Sequence, residues 1–117
     1  MKVLRTVTAA VNTTDNILNK IKSEIEEHLK PTLYSLGFTD DDMDYCIVEV
    51  SKHNHTYARI EIRAEVDYED LSAIGNAGDK YVSQYDQDAY FEPVDSGITE
   101  CYINYRKVAA ALGIRLH

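Results

Sequence analysis

Between Asp44 and Val66 the chain carries two runs of alternating residues separated by His53-Asn54-His55. In the second run Ala58, Ile60, Ile62, Ala64 and Val66 alternate with Tyr57, Arg59, Glu61, Arg63 and Glu65. This period of two belongs to a strand with one dry face and one wet face. The first run sets Cys46, Val48 and Val50 against Tyr45, Ile47, Glu49 and Ser51. Together they predict a β-hairpin, and a hairpin with one apolar face is stable only when something covers that face.

The rest of the chain supplies the cover. The cap-forming run Asn12-Thr13-Thr14-Asp15 precedes Ile17, Leu18, Ile21, Ile25, Leu29, Leu33 and Leu36, apolar residues at helical spacing, and Gly37 is placed to end that helix. Pro31 lacks the N–H a helix needs, so a kink or restart is expected near Lys30. Asp67 reads as the cap of a second helix over residues 68–85, with Leu71, Ile74, Gly78, Tyr81, Val82 and Tyr85 as its stripe. Gly75 and Gly78 either let that helix approach the sheet or break it in two. A short strand is expected over residues 89–92 before Pro93, a turn at Asp95-Ser96-Gly97, and a further strand over residues 98–106 with Thr99, Cys101, Ile103 and Tyr105 facing one way. The tail reads as a short helix stopped at Gly113. Residues 1–12 alternate weakly and suit an edge strand or an arm.

The expected architecture is therefore a single α+β domain over residues 1–117. It is a two-layer sandwich in the order α-β-β-α-β-β-α, with a mainly antiparallel sheet of about four strands covered on one face by two helices. Its expected core is Ile17, Leu18, Ile21, Ile25, Leu29, Leu33, Val48, Val50, Ile60, Ile62, Leu71, Ile74, Val82 and Ile103. In the order of its elements, residues 25–103, with a helix ending in Leu36-Gly37-Phe38 and an acidic entry to the next strand, resemble the N-terminal domain of bacterial ribosome maturation factors. That resemblance implies a fold and assigns no residue a role.

Charge is distributed unevenly. Residues 40–100 hold sixteen acids against four bases, a balance of −12 within a chain of net charge −8. Such a field repels nucleic-acid backbones and favours a basic protein partner. With no apolar run long enough to span a bilayer and no signal-type segment, a cytoplasmic chain is expected that folds alone or as a small oligomer such as a homodimer.

Sites of chemistry are not evident. Cys46 and Cys101 lack a Cys-x-x-Cys partner and read as buried thiols. Asp40-Asp41-Asp42 lacks the glycine and closing glutamate of a calcium loop. His53 and His55 lack companion ligands, and Gly75–Lys80 lacks the ending of a phosphate loop. No catalytic residue, cofactor or metal is expected. The first functional expectation is a non-catalytic interaction protein, acting as an inhibitor or nucleic-acid mimic of the anti-CRISPR or anti-restriction type. Its partner-binding residues would be Glu61, Glu65, Asp67, Glu69 and Asp70 with Tyr57 and Tyr68. The alternative is a small-molecule-binding or ribosome-associated housekeeping domain whose Tyr81, Tyr85, Tyr90, Phe91 and Tyr102 line a pocket. Rings turned outward among acids favour the first, and rings turned inward around a void favour the second.

Overall fold

A computed structural model describes residues 13–116 of the chain, and the edge strand or arm expected within residues 1–12 lies outside them. The elements are α1 (Thr13–Ser35), a 3₁₀ turn (Asp40–Tyr45), β1 (Cys46–Lys52), β2 (Tyr57–Ala64), α2 (Tyr68–Val82), β3 (Glu92–Asp95), β4 (Ile98–Asn104) and α3 (Tyr105–Ala111). One sheet in the order β1-β2-β4-β3 is antiparallel throughout. The α+β sandwich in the expected order of elements is what the chain forms.

Period explains which side of each element is buried. Ile17, Leu18, Ile21, Ile25, Leu29 and Leu33 form the buried seam of α1, which packs against β1 and α2. Opposite them lie Val48 of β1, Ala58, Ile60, Ile62 and Ala64 of β2, and Thr99, Cys101 and Ile103 of β4. Every expected core residue is buried except Val50, which is half-buried on the outermost strand.

Pro31 does not restart the helix, and α1 runs through it. The proline ring is exposed, while Leu29 and Leu33 on either side stay buried on one face, so packing of the seam offsets the missing hydrogen bond. Gly37, at φ 98°, ends α1 as expected. Phe38 N–H reaches the Leu33 carbonyl at 3.0 Å and Gly37 N–H the Tyr34 carbonyl at 3.0 Å, a Schellman closure.

Asp67 caps α2, its carboxylate accepting from Asp70 N–H at 2.9 Å. The helix ends at Val82, three residues short of expectation, and passes into a turn. It is unbroken at its glycines. A Cβ on Gly78 would lie 2.5 Å from the Phe91 ring, whereas one on Gly75 would meet its neighbours at 3.6 Å. Gly78 is thus the point where the connector presses onto α2.

The same contact moves β3. Ala89 and Phe91 are buried, and Phe91 N–H donates to Asp79 Oδ1 at 2.6 Å. This holds residues 89–91 against α2, so pairing with β4 begins only at Glu92 and Pro93 falls inside the edge strand. At the far end β4 stops at Asn104 because that side chain caps α3, accepting from Arg106 N–H at 3.1 Å. Tyr105, expected to continue the strand, is instead the buried first residue of a helix.

Candidate functional site: the open sheet face and an acidic cleft

The face of the sheet turned away from the helices is formed by Ile47, Glu49 and Ser51 of β1, Tyr57, Arg59, Glu61 and Arg63 of β2, and Ile98, Glu100, Tyr102 and Asn104 of β4. Register places Glu49 opposite Glu61, Glu61 opposite Glu100, and Glu100 opposite Glu92, one glutamate from every strand in a single row. Directly opposed like charges destabilise a sheet. Arginine offsets them here: Arg59 Nε donates to Glu100 at 2.6 Å and its Nη2 to Glu61 at 2.8 Å, while Arg63 Nη2 reaches Glu61 at 3.0 Å. Glu61 is only 8% exposed as a result. The Arg59 guanidinium, aided by that of Arg63, holds the Glu61 carboxyl below its ordinary value against the opposing effect of burial. Arg59 is in turn held firmly protonated by Glu61 and Glu100.

Where β1 begins and β2 ends, a cleft of about 690 Å³ opens between the end of α1, the 3₁₀ turn and the start of α2. Leu36, Phe38, Ile47, Ala64 and Val66 give it apolar walls, and Asp42, Asp44, Glu65 and Asp70 bring carboxylates around them. Arg63 is the only cation among the lining residues. Tyr45 stands at this cleft, 70% exposed.

Most of the sixteen acids between residues 40 and 100 are engaged locally. Asp40 accepts from Tyr34 and Asp42 from Thr39; Asp95 accepts from Ser96 N–H. Asp86 accepts from Asn104 N–H at 2.9 Å with Lys107 Nζ at 3.6 Å. Asp67 and Asp79 cap and anchor as described, Glu92 lies beside the Tyr90 hydroxyl, and Glu61 and Glu100 share Arg59. That leaves Asp41, Asp44, Glu49, Glu65, Glu69, Asp70 and Asp88 without a side-chain partner among the described residues. Three of those seven, Asp44, Glu65 and Asp70, line the one cleft, and Glu69 stands in the same first turn of α2 as Asp70.

The expected partner-binding residues therefore divide. Glu65 and Asp70 meet at the cleft; Asp67 and Tyr68 border an adjoining groove beside Pro93 and Ser96. Glu69 is exposed next to them, Tyr57 lies on the open face near the hairpin turn, and Glu61 is sequestered by arginine. Sequence reasoning missed Asp44 and the apolar walls, which come from four elements brought together only by folding.

The aromatic residues are distributed in a telling way. Tyr34, Tyr45, Tyr57, Tyr68, Tyr90 and Tyr102 are exposed, six of nine tyrosines. Of the five rings expected to line a pocket, Tyr81 and Phe91 are packed in the core and Tyr90 and Tyr102 face solvent, so the five do not surround one void. Tyr81 Oη donates to Glu24 at 2.7 Å and Tyr85 Oη to the same oxygen at 3.4 Å, tying α2 to α1. His53 packs edge-on against Tyr102, and the His55 carbonyl accepts from Tyr105 Oη and Arg106 Nε, so the hairpin turn is fastened to α3.

The two cysteines are separate free thiols; burial pushes Cys46 up to about 11 and Cys101 up to about 12. Among the described residues no group of three His, Cys, Asp or Glu is placed to hold a metal, and no helix is long and apolar enough to cross a membrane. Comparison of the chain with known protein families, curated proteins and solved structures finds no match.

Proposed function

We propose that this protein is a non-catalytic interaction module that binds a basic partner protein through the cleft between β1, β2 and α2. The observation that carries this reading is the sorting of the carboxylates. Of the seven left without a side-chain partner among the described residues, three, Asp44, Glu65 and Asp70, line one apolar-walled cleft and a fourth, Glu69, adjoins Asp70. A lysine or arginine fits such a place twice over, its aliphatic stem against Leu36, Ile47 and Val66 and its charge beside Asp44, Glu65 and Asp70. Tyr45, exposed at the cleft, and Tyr68, exposed at the adjoining groove, add contact area at small entropic cost. In its narrower form the proposal is nucleic-acid mimicry, in which these carboxylates occupy a partner's phosphate-binding groove, as in an inhibitor of the anti-CRISPR or anti-restriction kind.

Capture from cell lysate at low and at high salt, with the unaltered chain and a Glu65→Lys/Glu69→Lys/Asp70→Lys variant, tests the proposal. A basic protein should be retained at low salt, released as salt rises, and missed by the variant. Competition for that protein by DNA or RNA would support the mimicry form. Retention by the variant, or direct affinity of the unaltered chain for nucleic acid at physiological salt, would contradict the proposal.

A further inference from the structure

We infer that the outer edge of β1, which no described residue pairs with, is a docking site for an extended, basic segment of the partner, which adds a strand to the sheet beside β1. The inference rests on the proposed basic partner and adds the mode of binding.

The two edges of the sheet are built differently. β3 is four residues long, contains Pro93, and loses register between Pro93 and Asp95. All three features hinder the addition of another strand. β1 is seven residues long and stays in register with β2 from Cys46 opposite Ala64 to Lys52 opposite Ala58. It contains neither proline nor bulge. Among the described residues, Ile47–Lys52 make no hydrogen bond beyond the β1–β2 ladder, so no described residue pairs with the N–H and C=O groups on its outer side.

Side chains of an added strand would have places to go on both faces. Beneath the edge, between α1 and β1, lies a groove of about 300 Å³ walled by Leu29, Leu33, Met43 and Val48, with Glu26, Asp44 and the Glu27–Lys30 ion pair at its rim. Above the edge is Glu49, the unpartnered member of the glutamate row, at the middle of β1. The matching segment alternates small aliphatic residues toward α1 with lysine or arginine toward the open face. A second copy of this chain fits poorly. Antiparallel pairing of two β1 strands over their full length sets Glu49 against Glu49, a like-charge opposition with no arginine beside it.

The test uses a blocked eight-residue peptide alternating valine and lysine, followed by amide chemical shifts of the full chain. Two versions carry backbone N-methyl groups, one on every lysine and one on every valine. Because alternate residues of a strand present their N–H groups to opposite edges, only one version should lose the pairing edge. The unmodified peptide should shift the amides of Ile47–Lys52, one methylated version should bind comparably, and the other should bind at least about tenfold more weakly. Glu49→Lys, a change at an exposed position, should weaken the unmodified peptide by a similar factor. Equal binding of the two methylated peptides, shifts confined to the cleft lined by Asp44, Glu65 and Asp70, or no binding at all would overturn strand addition. The first two of these results leave the basic-partner reading standing. That reading falls separately, if the charge-reversal variant still captures the partner.

Discussion

The two faces of the sheet obey different rules. On the helix side Val48, Ile60, Ile62 and Ile103 meet α1 and α2 in a dry layer with no orphaned polar side chain among the described residues. On the open side four glutamates stand in one row, a pattern that opposes folding and survives because Arg59 and Arg63 bridge its centre. The helix face follows the rules of stability, whereas the open face departs from them. Such departures are where function is to be sought.

Replacing Ile60 or Ile62 by Ala should give the largest effect, a loss of about 2–5 kcal/mol in denaturant unfolding, because both are fully buried. A change below about half a kcal/mol at both would mean the dry face is not where stability resides. Next is the glycine pair on α2. Gly78→Ala forces the Phe91 ring to move and should cost about 1–3 kcal/mol, whereas Gly75→Ala meets only ordinary contacts and should gain up to about 1 kcal/mol from helix propensity. Equal effects at the two sites would show that the ring does not press on the helix.

On the open face, Arg59→Ala leaves Glu61 and Glu100 opposed without their bridge and should cost about 1–2 kcal/mol in the same assay. Acid provides the complementary test. Because the folded Glu61 carboxyl lies below its ordinary value, its contribution is present above the unfolded value of about 4.3 and is lost as pH falls through the folded one. Glu61→Gln should therefore be less stable than the unaltered chain at neutral pH and converge with it in acid. A constant difference across that window would remove the arginine clamp from the account. The smallest effect expected is at the cysteines, where thiols pushed upward by burial should react with an alkylating reagent far more slowly in the folded chain than after unfolding.

How much of this could be read from the sequence follows from the range of the forces involved. Hairpin alternation and the α1 stripe are local patterns, and they pick out the α1 seam and the buried side of β1 and β2, whereas Phe91, Val108 and Ala109 are core residues absent from the expected list. Pro31 misled because the propensity that breaks a helix is local while the packing that holds α1 together is not. The start of β3 was misplaced for a similar reason: the bond from Phe91 to Asp79 spans twelve residues. The site was least legible. Its acids are conspicuous as a group, but Glu61 is sequestered through Arg59, which also holds Glu100 from forty-one residues away. Only register shows which carboxylates are engaged and which remain exposed.

The central claim is that the unengaged carboxylates at the cleft serve binding and contribute little to folding. Titration calorimetry of the purified partner against the unaltered chain and the Glu65→Lys/Glu69→Lys/Asp70→Lys variant, with the melting temperature of each, tests it most directly. The account predicts melting temperatures within a few degrees of each other and affinity lowered at least about a hundredfold by the three reversals. Undiminished affinity in a folded variant, or a variant that no longer folds, would contradict it.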